Sequence, residues 1–474
     1  MLTQNMLTYP VWIKRAKIER VEDTDPHMQG QRSLFMAWYE EAVFYHIYPL
    51  GLTGAPFEND YGETVHRLND LKPWIEHIRK LGCTALYIGP LFESKTHGYD
   101  TTDYYRLDRR LGDNEDLQNF VKYCHENGIR VVLDGVFNHT GRDFFAFKDI
   151  QQYRESSWKK DWYQNVNFYG NNEYNDGFCY DNWGGYNALV KLNLYNPEVR
   201  NYLLDVVRFW VREFDIDGLR LDAADVLNFD FMKDLRSLAN EIKEDFWLMG
   251  EVIHGEYQRW VNEETLNSVT NYHLHKALYS GLNDHNFFEI AHTIKRQRDM
   301  GLGNKVHLYN FVDNHDVERI YTKLNNKAHF PLVHILLFTL PGIPSLYYGS
   351  EFGIEGRKER YSDASIRPKL DLDELNAADN EYVKLIQKLA KIHNKERELS
   401  YGDYRELQLT TTKFAYARDN IIIALNNADE ATSFDLHVEG EYTGALTGEK
   451  LKAENGNLHI ELTSNQGEIY LPDE

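Results

Sequence analysis

Basic residues, cysteine and long apolar runs are all scarce in this chain. Its 52 lysines and arginines are outnumbered by 74 acidic residues, a formal net charge of −22, and no basic cluster offsets the excess. Binding to a phosphate backbone or an anionic membrane surface is therefore disfavoured, and neither nucleic acid nor membrane is an expected partner. The three cysteines, Cys83, Cys124 and Cys179, are odd in number and include no Cys-x-x-Cys pair. A disulfide framework and a zinc site are thus not expected, and the residues read as buried free thiols in a reducing, cytoplasmic compartment. The most apolar run, Ile335-Leu336-Leu337-Phe338-Thr339-Leu340, ends at Pro341-Gly342 and is far shorter than a membrane span. No export signal is visible, because Lys14, Arg15, Lys17 and Arg20 interrupt the stretch where its apolar core would lie.

What is present is an alternation of two periods. Val43 to Tyr48 is rich in strand formers; Leu68, Leu71, Trp74, Ile75, Ile78 and Leu81 then recur at helical spacing before Gly82, and Ala85 to Ile88 is again a strand. A helix from about Asp116 to Glu126 feeds the strand Ile129 to Leu133, and Asn196-Pro197 reads as cap and first turn of a helix running to Phe214. Further strands are expected at 218–222, 246–249, 268–272, 306–311 and 345–348. This many strand–helix units favour an α/β fold, a closed (β/α)8 TIM barrel. The long polar and aromatic stretch after the third strand reads as a lid or small inserted domain, and the strands after the helix at about 379–397 as an antiparallel β domain. The expected division is an N-terminal arm at 1–40, a barrel at 41–398 interrupted by an insert at 141–190, and a C-terminal β-sandwich at 399–474.

The most informative stretch is Gly218-Leu219-Arg220-Leu221-Asp222. Alternation puts Arg220 and Asp222 on one face of a strand, where the cation is expected to keep the carboxylate ionised and available as a nucleophile. A barrel gathers its chemistry at the carboxyl ends of its strands. Collected there are His97 to Asp103 after strand two, Asp134 to His139 at strand three, Arg220 and Asp222 at strand four, Gly250-Glu251 at strand five and Asp313 to Asp316 at strand seven.

Asp134 to His139, Gly218 to Asp222, Gly250-Glu251 and Asn314-His315-Asp316 resemble, in order, the motifs of the α-amylase family of retaining glycoside hydrolases, from about residue 42 to 397. The resemblance implies Asp222 as nucleophile, Glu251 as general acid/base and Asp316 as a third carboxylate that holds sugar hydroxyls. It implies a substrate shell of Tyr99, Asp100, His139, His315 and Arg367, with Arg220 keeping Asp222 charged. The substrate class implied is an α-glucan oligosaccharide, cleaved at α-1,4 linkages. An α-1,6- or exo-acting glucosidase is the alternative within the family, and an inactive sugar-binding relative the alternative outside catalysis.

Leu189-Val190-Lys191-Leu192-Asn193 is similar to the signature of the neopullulanase and cyclomaltodextrinase branch, without its Met-Pro pair, and Trp183 and Tyr186 just before it are candidates for stacking on sugar. That branch commonly carries an N-terminal β domain that builds its dimer. The roughly 40 residues before the barrel imply that this domain is missing, leaving the oligomeric state open. Calcium-binding amylases supply an Asp where this chain has Lys191. An ammonium cannot ligate calcium, so no metal and no cofactor are expected at the usual interdomain site.

Overall fold

The computed structural model describes residues 37–302 and 307–473. Most of the expected N-terminal arm, and Val306 at the start of an expected strand, lie outside the described residues. Eight short strands make one sheet: β1 (Phe44–Ile47), β2 (Ala85–Ile88), β3 (Arg130–Gly135), β4 (Gly218–Leu221), β5 (Trp247–Gly250), β6 (Ser268–Val269), β7 (Tyr309–Phe311) and β8 (Ile343–Tyr347). They run in the order β6-β5-β4-β3-β2-β1-β8-β7 with parallel pairing throughout. A parallel bridge from Thr270 to Tyr309 joins the two ends, so the sheet closes into the expected barrel.

Burial follows from closure. Strands covered on both faces have no polar side to show, which is why Phe-Tyr-His-Ile, Ala-Leu-Tyr-Ile and Ile-Pro-Ser-Leu-Tyr are buried at every position. Alternate residues divide between two cores. Phe44, Ala85, Val132, Trp247, Met249, Tyr309, Phe311 and Ile343 fill the barrel interior, whereas Tyr45, Leu86, Leu133, Leu219 and Leu248 pack outward beneath the helices. Gly218 opens β4 because a Cβ there would lie 2.6 Å from the Trp247 carbonyl oxygen of the neighbouring strand.

The helices begin and end where the chain's own chemistry permits. Asp113 caps Asn114–Glu126 in a reciprocal box with Asp116, and Asn196 caps Pro197–Phe214 by accepting from the Glu198 N–H. Gly82, at φ 91°, ends Lys72–Leu81. Most boundaries shift by one to three residues, and one shift changes the element a residue belongs to. The sixth strand stops at Val269, and Tyr272 instead starts the helix Tyr272–Asn283, because the Asn271 side chain accepts from the Leu274 N–H and turns the chain into a helix.

The insert holds a helix, Phe145–Tyr153, and a three-stranded antiparallel sheet of Asn182–Trp183, Tyr186–Lys191 and His139–Thr140. Since His139 pairs with Lys191, the insert is tied directly to the residues that follow β3. Beyond the barrel come β9 (Tyr404–Leu409), β10 (Lys413–Arg418), β11 (Ile421–Asn426), β12 (Thr432–Leu436), β13 (Glu441–Gly444), β14 (Lys450–Lys452), β15 (Leu458–Leu462) and β16 (Gln466–Pro472). Six of them form the sheet β9-β10-β11-β16-β13-β14, and β12 and β15 pair separately. Ala415, Ile422 and Ala424 of the larger sheet share a core with Phe434, Leu436, Leu458 and Ile460 of the smaller, which makes a sandwich. No described helix is long and apolar enough to cross a membrane. Cys83 and Cys124 are buried and free as expected, but Cys179 in the insert is only half-buried.

Candidate active site

Register brings the strand-end residues together. Asp134 on β3 lies opposite Arg220 on β4, and Leu221 lies between Gly135 and Gly250 of the flanking strands. The ladder continues one residue further. Asp222 donates its N–H to the Gly135 carbonyl at 3.0 Å, and Glu251 to the Leu221 carbonyl at 2.9 Å, so both carboxylates stand just past the ends of adjacent strands. Ala223 then turns into the left-handed region at φ 48°, an uncommon conformation for a residue with a Cβ. That turn aims its N–H at Glu251 Oε2, 3.0 Å away.

Arg220 was expected to serve Asp222. Instead it is shared three ways: Nη1 lies 2.9 Å from both Asp134 Oδ1 and Asp222 Oδ1, and Nη2 lies 2.8 Å from Glu251 Oε2. One cation therefore faces three buried carboxylates. Burial pushes the Asp222 carboxyl well above the usual range, Arg220 pulls it down, and Glu251 and Asp134 push it up again. Arg220 favours the Asp222 anion, as expected, but it divides its charge among three buried carboxylates. Glu251 is raised as well, first by burial and, against the pull of Arg220, by Asp316. Asp316 goes the other way. Burial would raise it, but His315, with Nε2 at 3.0 Å, and Arg367, with Nη2 at 2.8 Å, hold it well below the ordinary range.

The other expected residues are placed as follows. His139 is buried, its Nε2 lying 3.1 Å from the Tyr99 carbonyl oxygen and 4.0 Å from Asp222 Oδ2, and burial keeps it neutral by lowering it to about 4. Tyr99 points its hydroxyl at Asp134 Oδ2, 3.0 Å away, and at His315 Nε2, and its ring stacks on the His315 ring at 5.6 Å. It is therefore a brace between strand ends as much as an open stacking face. Arg367 also donates from Nε to the His315 carbonyl, which ties it to the cluster. Trp183 and Tyr186 are exposed and stacked on each other at 6.5 Å, and Trp183 lies 6.0 Å from the His139 ring.

Asp100 does not join them. Its carboxylate accepts from the N–H and hydroxyl of Thr96, at 3.1 and 2.7 Å, and is buried in bracing its own loop. The placement as an open hydroxyl partner is corrected accordingly, since local side-chain-to-backbone bonds claim the group first. Residues not anticipated also reach the cluster, Tyr48 and Tyr272 among them. Tyr48, from the end of β1, stacks on His315 at 6.0 Å and lies under the Arg367 guanidinium at 4.7 Å. Tyr272 lies 3.4 Å from Glu251 Oε1. Both follow strand ends, the same signal that found the others.

Around the interdomain position Lys191 pairs with His139 across the insert sheet, and the Asn138 amide faces His139 Nδ1 at 3.2 Å.

A closed parallel barrel with buried carboxylates beyond adjacent strands, ringed by aromatic and imidazole groups, defines a glycoside hydrolase of the barrel type. The chain belongs to the α-amylase family: the α-amylase catalytic domain matches residues 53–398. It is 30% identical to a cyclomaltodextrinase from Thermoanaerobacter pseudethanolicus, over 92% of this chain and 79% of that protein. It is 32% identical to an intracellular maltogenic amylase from Bacillus subtilis, over 60% of this chain and 48% of that protein. A solved cyclomaltodextrinase structure superposes with a TM-score of 0.82 at 26% identity, covering 92% of this chain and 78% of that one.

Proposed function

We propose that this glycoside hydrolase cleaves α-1,4-glucosidic bonds in maltodextrins, linear and cyclic, with retention of configuration, and transfers some glycosyl units to sugar acceptors. The observation that carries this reading is the attachment of Asp222 and Glu251 to the two arms of one guanidinium, with Asp316 ionised nearby. Glu251, raised by burial, protonates the leaving oxygen while Asp222 attacks the anomeric carbon. Glu251 as carboxylate then takes a proton from the water, or the sugar hydroxyl, that releases the glycosyl group. Burial disfavours the Asp222 anion in the empty cleft, and that disadvantage is relieved as positive charge develops on the sugar.

The names of the cyclomaltodextrinase relatives support a curved substrate, and that of the Bacillus subtilis relative a cytoplasmic location, in keeping with three free thiols. No cofactor is invoked. The deciding experiment is product analysis after separate incubation with a linear maltooligosaccharide and with β-cyclodextrin. Opening of both, the ring faster, is expected. Cleavage of the linear chain alone removes the cyclic substrate from the proposal, and cleavage of neither overturns the α-1,4 reading.

A further inference from the structure

We infer that Tyr272 is a positioning residue that faces the oxygen of Glu251 carrying the catalytic proton and favours release of that proton. This rests on reading Glu251 as the acid/base. Oε2 of Glu251 already accepts from the Ala223 N–H at 3.0 Å and is ion-paired with Arg220 Nη2 at 2.8 Å. A main-chain amide and a guanidinium can only donate, so Oε2 remains an acceptor and the proton resides on Oε1. Tyr272 Oη, 3.4 Å away, is the hydroxyl facing that oxygen.

The direction of this contact follows from Asn314. Its Oδ1 accepts from the main-chain N–H groups of Asp316 and Val317, at 2.8 and 3.1 Å, which fixes the orientation of the amide. Its Nδ2 must therefore donate to Tyr272 Oη, 3.1 Å away. With an oxygen lone pair so engaged, the Tyr272 hydroxyl hydrogen is left for Glu251 Oε1. The ring is held in place for this: it meets Phe311 edge-on at 4.9 Å, at the start of a helix whose cap, Asn271, donates to buried Asn310 and exchanges hydrogen bonds with buried Gln297. When Glu251 hands its proton to the leaving oxygen, the Tyr272 hydroxyl donates to the carboxylate just formed. When Glu251 is protonated on Oε1 that donation has no acceptor of equal strength. Tyr272 thus favours the ionised form and partly offsets the effect of burial.

The other titratable groups facing Glu251 are Arg220 and Asp222 from β4 and His315 and Asp316 beyond β7. Tyr272→Phe alters none of them and keeps the ring. The basic limb of the kcat/KM pH profile should move up by roughly 0.5–1 pH unit. Glycosides with poor leaving groups should slow about tenfold more than activated aryl glycosides, because the acid has become weaker. Asn314→Asp keeps an acceptor for Asp316 and Val317 but draws the tyrosine proton to its other oxygen and adds a negative charge, so there the limb should move the same way and further than in Tyr272→Phe. Glu251→Gln is measured alongside. If it retains the basic limb, or slows both substrate classes equally, the acid/base reading fails and this inference with it. If Glu251→Gln behaves as the loss of an acid while Tyr272→Phe keeps the wild-type limb and leaving-group dependence, Tyr272 only packs and the inference alone is overturned.

Discussion

Asp134 and Arg220 face each other across β3 and β4, and their 2.9 Å ion pair sets the guanidinium so that its remaining reach takes in Asp222 and Glu251. The planar fork is what allows one cation to hold three carboxylates from three strands. A lysine ammonium has the charge but not the span. Arg220→Lys should therefore lower kcat by about 100-fold or more with a smaller change in KM, as expected for lost preorganisation. A kcat within a few fold of wild type would show that charge alone suffices.

Asp222 carries a stability prediction with a definite sign. A carboxyl whose pKa is raised by folding stabilises the fold below its unfolded pKa, near 4, and that contribution is lost as pH rises through the folded value. By neutral pH that contribution is therefore wholly or partly lost. Asp222→Asn should melt about 1–3 °C above wild type at pH 7, with the difference shrinking toward pH 4. A variant that melts lower at pH 7 would mean that Arg220 more than compensates the burial.

The barrel, its satellites and most of the site were legible because apolar strand and polar strand end alternate along the chain. Arg220, Asp222, Glu251 and Asp316 all follow directly from that pattern. What escaped was decided by contacts between segments or by short-range capping. Asn271 turns Ser-Val-Thr-Asn-Tyr, which has strand-forming composition, into a helix start, and so hid Tyr272. Thr96 claims Asp100 through a loop too local to show as periodicity. The division of Arg220 among three carboxylates depends on the β3–β4 register, which no single segment encodes.

Lys191 predicts indifference to chelation. We propose that lysine at this position, where calcium-binding relatives carry Asp, leaves the interdomain site without calcium, so treatment with a divalent-cation chelator should leave activity and melting temperature unchanged. A fall in melting temperature that calcium reverses would locate a structural site elsewhere in the chain.

Trp183 and Tyr186 form a graded platform rather than a single contact. Gly184 and Gly185, at φ 63° and 84°, make the tight turn that stacks the two rings, leaving Trp183 38% and Tyr186 63% exposed. Trp183 adjoins His139, which in turn lies 4.0 Å from Asp222, so its ring is within reach of a sugar close to the reacting bond. Tyr186, the more exposed of the two, is expected to meet a more distant unit. An aromatic face covers the C–H face of a pyranose and contributes equally to ground and transition states when it is remote from the chemistry. Tyr186→Ala should therefore raise KM several-fold, to about tenfold, for long maltooligosaccharides while leaving kcat nearly unchanged, and the effect should vanish for substrates too short to reach it. Trp183→Ala should lower kcat as well, and do so for short and long chains alike, because a sugar held beside His139 also sets the approach of Asp222 to the anomeric carbon. Kinetics on a chain-length series separate the two cases, and equal effects of both substitutions at every length would dissolve the platform into unrelated surface residues.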